Sequence, residues 1–189
     1  MEVILGLTKA ISATLLLLLL GDGVSTIFYH VPEHVFGKFH TIIHHGKNRN
    51  FLYYAYLTRN PFVLLDGTLA ALPYFVFTPW LWQLSCVGTV IGLVLAELHV
   101  IWRHVSIVEC QTPELIKSFC NLFWITTPER HTLHHQNAFI AFGDIFTFYD
   151  YPAQKWLTIL RVIRRKFNQK EIIAQSSLSY LLPNIKAEH

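Results

Sequence analysis

The chain has 189 residues, of which 52% are hydrophobic and only 14% are charged. Soluble domains carry about 25% charged residues, so this composition argues against an ordinary soluble enzyme and against a disordered chain. The formal net charge of +3 is too small for a general nucleic-acid binder, and no nucleic-acid partner is expected. The three cysteines form no CxxC pair, which disfavours a disulfide framework and a thiolate zinc site.

Three apolar segments are predicted to span a membrane, because about 20 apolar residues cross the hydrocarbon core as a helix. The first runs from residue 3 to residue 28. A signal peptide is the less favoured interpretation, since the start is not basic and no small-residue cleavage site follows the leucines. The second and third segments, residues 61–79 and 80–102, are predicted to form a hairpin that turns at Thr78-Pro79-Trp80.

The positions of the basic residues predict the orientation of the chain. Residues 30–59, residues 103–130 and the tail from residue 151 contain 14 of the 15 lysines and arginines. Three spans bring these stretches to one face, which the positive-inside rule makes cytoplasmic. We therefore expect an all-α, multi-pass membrane bundle of three to four spanning helices with a histidine-rich helical cap on the cytoplasmic face. Residues 1–150 are predicted to form the membrane and metal-binding domain, and residues 151–189 the tail.

The tail is predicted to contain a basic amphipathic helix. Trp156, Leu160, Ile163 and Phe167 share one helix face, and basic residues lie between them. This pattern is typical of a helix that lies on an anionic leaflet. A soluble surface helix is the alternative.

Histidine is the unusual residue of this chain. Ten of the 11 histidines lie within residues 30–45, 99–104 and 131–135, and the predicted topology brings these three windows to the same membrane face. The ten are His30, His34, His40, His44, His45, His99, His104, His131, His134 and His135. Neutral imidazole is the commonest metal ligand and suits iron, zinc, copper or nickel, and this number of rings implies two ions. A metal-dependent pH sensor remains an alternative.

The spacing of the histidines is informative. Residues three or four apart share a helix face, so the pair His30 and His34 and the triplet that begins at His131 can each present their rings together. His99 and His104 are five residues apart, or about 140° of rotation, so both face inward only if their helix ends or bends between them. The absence of an HExxH motif disfavours a zinc protease.

Carboxylates are expected to orient some of these rings through the free imidazole N–H. The candidates are Glu97, Asp150 and Asp22, with Glu129 and Asp144 as further possibilities. Glu97 is the best argued, because an acid near the end of a spanning helix is costly without a partner. Snorkelling of Glu97 to the interface is the alternative interpretation.

Taken together, residues 22 to 150 resemble the fatty acid hydroxylase/sterol desaturase superfamily of membrane di-iron oxygenases. The resemblance rests on the motifs DGVSTIFYHVPEH, FHTIIHHGKN, LHVIWRH, RHTLHHQN and AFGDIFTFYD. In the last motif Gly143 and Asp150 match the family pattern, while Ala141 stands at the family's asparagine position and Tyr149 at its tryptophan position.

This resemblance implies two iron ions held by the ten histidines, for which zinc can substitute in a purified sample, and no catalytic side chain beyond the ligands. It implies that the protein hydroxylates or desaturates a fatty acyl, sterol or carotenoid-like lipid with O₂. Electrons come from an external ferredoxin-like or cytochrome b5-like donor. The alternative is a histidine-rich membrane protein that binds metal without oxygenase activity, as a transporter, a store or a degenerate scaffold.

Overall fold

The computed structural model describes residues 1–37, 61–105 and 111–181. Its elements in chain order are α1 (Glu2–Ser25), a π-helical turn (Thr26–His30), α2 (Val31–Phe36), α3 (Pro61–Leu84), α4 (Cys86–Arg103), α5 (Glu114–Leu122), α6 (Pro128–Gln136), a 3₁₀ turn (Thr147–Tyr149) and α7 (Asp150–Leu181). Within these ranges the only strand-like feature is an isolated antiparallel bridge between Ile125 and Phe146. The predicted all-α class is therefore confirmed.

Helix α1 packs against both α3 and α4. The contact with α4 is close because it is built from small residues. The Thr14 hydroxyl donates to the carbonyl oxygen of Gly88 at 2.8 Å, and a Cβ atom on Gly88 would collide with the backbone of Ala10. Small residues let helix backbones approach in the same way in membrane bundles.

The bundle has a compact apolar core, which a loop also reaches. The buried residues of this core are Leu17, Leu18, Tyr74, Leu81, Ala96 and Ile145. Ile145 lies in the loop between α6 and α7, so this loop is anchored in the bundle. The anchoring brings the histidines of α6 close to the end of α1.

Two segments of the described chain, Glu2–Phe36 and Cys86–Arg103, are long and apolar enough to cross a membrane. Only 17% and 28% of their most apolar windows are buried in the protein, so most of this apolar surface faces outward. Outward-facing apolar surface on this scale is expected of lipid-exposed helices. The second predicted span, residues 61–79, falls in α3 and stays a prediction.

The hairpin turn lies further along the chain than the sequence suggested. Helix α3 continues through Pro73 and Pro79 to Leu84, and the chain reverses at Ser85, whose hydroxyl accepts the backbone N–H of Gly88 at 3.1 Å. The prediction of a turn at residues 78–80 was wrong. Continuing the helix buries Leu81 in the core, and a proline within a packed helix removes only one backbone hydrogen bond.

Helix α7 is present as predicted, but its buried face is a different one. Ala153, Leu157 and Leu160 pack against Val31 and Val35 of α2. Of the predicted stripe, Leu160 belongs to this core and Trp156 is half-buried against it, whereas Ile163 and Phe167 remain exposed. The two faces share Leu160 and lie roughly 60° apart around the helix, and only the partner helix decides between them.

Candidate metal centre

The first histidine group consists of His30 and His34, which are four residues apart, and His134, which follows about 100 residues later. The Nε2 atom of His134 lies 2.9 Å from that of His30 and 3.2 Å from that of His34. His30 and His134 are buried, and His34 is half-buried. The i, i+4 pair predicted from sequence therefore meets a ring from the other end of the chain.

The second histidine group consists of His104, His131 and His135. The Nε2 atom of His131 lies 3.1 Å from those of both His104 and His135. Helix α4 ends at Arg103, and His104 is the residue that follows it. Because α4 ends before His104, the ring of His104 turns toward α6. The five-residue spacing from His99 had indicated that the helix would have to end or bend for this ring to face inward.

Helix α6 links the two groups, since it supplies His134 to the first and both His131 and His135 to the second. The rings of His131 and His134 stack at 6.0 Å with an interplanar angle of 23°. Local sequence sets where α6 begins: Pro128 occupies the first turn, and the Thr127 hydroxyl accepts the backbone N–H of Arg130 at 3.4 Å. The start of the helix thus sets the direction of all three rings.

The π-helical turn Thr26–His30 aims the rings of the first group. A wide turn of this kind inserts about one extra residue, which rotates the following helix by about 100° relative to a regular α-helix. His30 ends this turn and His34 lies one turn further along. Such turns are often found at functional sites.

Backbone carbonyl groups determine the tautomers of two rings. The Nδ1–H of His134 donates to the carbonyl oxygen of Ile140 at 2.7 Å, and the Nδ1–H of His104 donates to that of Val100 at 2.6 Å. In the neutral rings each Nε2 atom therefore carries a lone pair that faces its group. Metal-ligating histidines are commonly oriented by this kind of bond to the other ring nitrogen.

The donor geometry fits a bound metal ion. The single Nε2 lone pair of His134 faces two other Nε2 atoms and cannot satisfy both through good hydrogen bonds. A shared cation would satisfy all three nitrogens. Two imidazole nitrogens that bind one ion at about 2.1 Å lie roughly 3.0–3.4 Å apart, which is close to the four Nε2–Nε2 distances of 2.9, 3.2, 3.1 and 3.1 Å described above. An all-imidazole set of this kind suits iron or zinc.

Burial favours the neutral form of His131 in the second group. The His131 side chain is almost completely buried, and burial lowers its pKa well below the usual value; the charge of Arg103 and the neighbouring histidines lower it further. The neutral ring is the form that binds a metal ion.

Asp144 is a carboxylate that lies close to one of the ligand imidazoles, that of His30. Its Oδ1 atom lies 2.6 Å from Nη1 of Arg103 and 3.5 Å from Nδ1 of His30. Arg103 and Asp144 are both buried. The sequence identified Asp144 as one candidate among five. For Arg103 it favoured an ordinary positive-inside role, with binding of a lipid head group as the alternative.

Asp22 and Asp150 hold the loop around Asp144. The Asp22 carboxylate accepts the backbone N–H groups of Asp144, Ile145 and Phe146 at 3.1, 3.1 and 2.7 Å. Asp150 accepts the N–H of Gly143 at 2.7 Å and pairs with Arg130. No contact described for either carboxylate is with a histidine ring.

Glu97, the carboxylate favoured from sequence, lies on the exposed face of α4. No contact described in the structure joins it to a histidine, which agrees with the alternative of snorkelling. Glu129 instead accepts the backbone N–H of Thr112 at 2.9 Å.

Of the seven predicted ligands that the structure describes, His99 alone lies outside the two groups. The Nε2–H of His99 donates to the carbonyl oxygen of Thr126 at 2.9 Å, and its buried Nδ1 atom has no hydrogen-bond partner among the described residues. His40, His44 and His45 fall outside the described residues, so their role stays a prediction.

Sequence reasoning missed Phe142. This fully buried side chain contacts all three rings of the first group, with centroid distances of 5.5 Å to His30, 5.5 Å to His34 and 5.4 Å to His134. It covers the group with apolar surface. Nothing in its sequence position distinguished it from the other phenylalanines of the chain, 14 in all.

Comparison with known proteins agrees with this geometry. The family model described as Fatty acid hydroxylase matches residues 14–154, a range that contains both histidine groups and confirms the resemblance inferred from the motifs. No curated protein and no solved structure matches the chain.

Proposed function

Because the chain belongs to the fatty acid hydroxylase family, we propose that it is a membrane-bound di-iron oxygenase that hydroxylates or desaturates a lipid. The family implies an oxidoreductase that acts on lipids, and the two apolar helices indicate a membrane protein. The observation that carries the proposal is the pair of three-histidine groups joined by α6.

The two histidine groups hold one ion each in this proposal. Further ligands come from His40, His44 and His45, and His99 completes the set of ten. When bound, the two iron ions supply the redox activation of O₂ that attack on an unactivated C–H bond requires.

The remaining roles belong to the protein itself. The carbonyl groups of Ile140 and Val100 keep His134 and His104 in the ligand tautomer, and Asp144 orients His30. Phe142 and the burial of the rings keep water from the site. The centre lies on the cytoplasmic face, where a lipid enters from the bilayer and an external ferredoxin-like or cytochrome b5-like protein delivers electrons.

Metal content tests the first half of the proposal. Protein purified with iron should carry about two ions per chain, and His134→Ala and His135→Ala should each lower this number to about one. Gln136→Ala is the matched control, since Gln136 is exposed at the end of the same helix. Folded wild-type protein that binds no metal would contradict the proposal.

Lipid chemistry tests the second half. Cells that contain the protein should incorporate ¹⁸O from labelled dioxygen into one lipid class, or gain a double bond in it, and His131→Ala should abolish the change. Metal binding without any lipid product would favour the transporter or store. A cellular role that survives His131→Ala would favour the scaffold.

A further inference from the structure

A basic cleft opens directly beside the first histidine group. Helices α2 and α7 and the loop residue Phe139 line an open cleft of about 360 Å³ there. The lining residues are His34, Val35, Phe139, Arg161, Arg164, Arg165 and Asn168. His34 belongs both to this cleft and to the first histidine group, so a ligand in the cleft would lie next to the metal centre.

Three arginines converge on this cleft, and none of its lining residues is an acid. Within the described residues, no ion pair joins any of the three to a carboxylate. Like charges held close together are unfavourable unless an anion compensates them. The guanidinium group donates in a planar fork that matches the oxygens of a carboxylate or a phosphate.

Two of the arginines are held in place before any ligand binds. The guanidinium of Arg161 lies over the ring of Phe139, 4.0 Å from its centroid, and Arg164 donates to the carbonyl oxygen of Val35. These contacts attach one α7 arginine to the loop residue Phe139 and the other to the backbone of α2. A positioned cation loses less side-chain entropy when it binds an anion than a freely moving one does.

We propose that this cleft binds the anionic head group, a carboxylate or a phosphate, of the lipid that the metal centre oxidises. The proposal rests on the proposed function for the statement that this lipid is the substrate. The exposed ring of Phe139 provides apolar surface for the first carbons of the chain beside the head group. The cleft thereby favours an anionic acyl lipid over an uncharged sterol or carotenoid.

Binding of matched amphiphiles tests the proposal. The full-length protein in a non-ionic detergent would be titrated with palmitate, 1-palmitoyl lysophosphatidate and hexadecanol, which distinguish a carboxylate, a phosphate and an uncharged head. We expect at least one of the two anions to bind about tenfold more tightly than the alcohol, which is the scale of a charge-assisted hydrogen bond. The anion that binds more tightly identifies the head group.

Variants of α7 separate a built site from diffuse surface charge. Arg161→Gln with Arg165→Gln should reduce the affinity for the anion to that for hexadecanol. Lys166→Gln is the control, because Lys166 is exposed on the same helix and does not line the cleft. The single variant Arg165→Gln, which should lose several-fold in affinity, removes an exposed side chain and keeps the test valid if the double variant does not fold.

Two results would overturn the proposal: equal wild-type affinity for the anions and the alcohol, or an equal loss in Lys166→Gln and the cleft variants. Metal content would be measured in the same samples. If the protein binds two ions per chain but shows no head-group preference, the head-group proposal is wrong and the proposed function is unaffected. A head-group preference in folded protein that binds no metal supports the cleft as an anion site and rejects the proposed function, so the two failures are distinguishable.

Discussion

The carboxylate of Asp22 in α1 accepts the backbone N–H of Phe146 at 2.7 Å, across a sequence separation of 124 residues. The same carboxylate accepts the N–H groups of Asp144 and Ile145. One side chain of an apolar helix therefore holds the loop that carries Asp144 to His30. This contact fixes the metal centre to the helical bundle.

Asp22→Asn should weaken both the fold and the first histidine group. The amide has one acceptor oxygen, and its NH₂ group would face backbone donors, so at least one buried N–H loses its partner at a cost of about 1–3 kcal/mol. Thermal unfolding and metal content would measure the two effects. Thr26→Val is the control, since it removes only the 3.2 Å hydrogen bond from the Thr26 hydroxyl to Asp22. Equal losses in the two variants would argue against this role of Asp22.

Ala141→Gly should stabilise the protein. Ala141 has φ of 55°, in the left-handed region that costs most residues about 1–2 kcal/mol and costs glycine little. Glycine also gives the unfolded chain more conformational entropy, which offsets part of this benefit. We therefore expect the free energy of unfolding, measured by chemical denaturation, to rise by roughly 0.5–1 kcal/mol. The control Ala153→Gly, at a buried position in α7, should lose about 1 kcal/mol. A lower free energy of unfolding in both Ala141→Gly and Ala153→Gly would contradict the prediction. Asparagine, which the motif resemblance places at this position in the family, tolerates the same conformation.

Phe142→Ala should destabilise the protein by about 3–5 kcal/mol, because it removes a fully buried ring and leaves a cavity. It should also speed release of the first ion to a chelator, since Phe142 covers all three rings of that group. Phe142→Leu should retain most of the stability. Phe119→Ala in α5, where the side chain is largely exposed, should change neither quantity. If the rate of metal release is unchanged in Phe142→Ala, Phe142 does not shield the first histidine group.

Asp144→Asn should be strongly destabilising, by roughly 3 kcal/mol or more, because it leaves the buried guanidinium of Arg103 without its counter-charge. Replacing both residues, as Arg103→Met with Asp144→Asn, should recover part of this loss. The exposed pair of Glu114 with Lys117 is a surface control, and Lys117→Gln should give no measurable change in melting temperature. If Asp144→Asn alone is as stable as the wild type, the buried pair of Arg103 and Asp144 contributes little to the stability of the fold.

Metal-free protein should lose stability as the pH falls below about 6.5, the ordinary pKa of histidine. Burial, followed by the charge of Arg103, lowers the pKa of His131 in the folded state. The unfolded chain therefore binds this proton at a higher pH than the folded chain does, and acidification favours unfolding. Melting temperatures measured between about pH 8 and pH 5.5, with chelator and with metal, would test this. A melting temperature that rises on acidification would contradict the assigned direction.

Local sequence determined the helices and the chemistry of this protein. Apolar length predicted α1 and α4, and the i, i+4 spacing of His30 and His34 placed both rings on one face. The number and spacing of the histidines indicated a metal-binding cluster, and the resemblance of five sequence motifs indicated the family. These are properties of short segments, so periodicity and composition reveal them.

Only the tertiary structure decided how the rings are shared and what surrounds them. It divides the histidines of α6 between two groups, makes Asp144 the partner of Arg103 and His30, and selects the face of α7 that α2 buries. Each of these depends on contacts between residues far apart in the chain. Helical periodicity repeats every 3.6 residues and carries no information about which distant surface a face will meet.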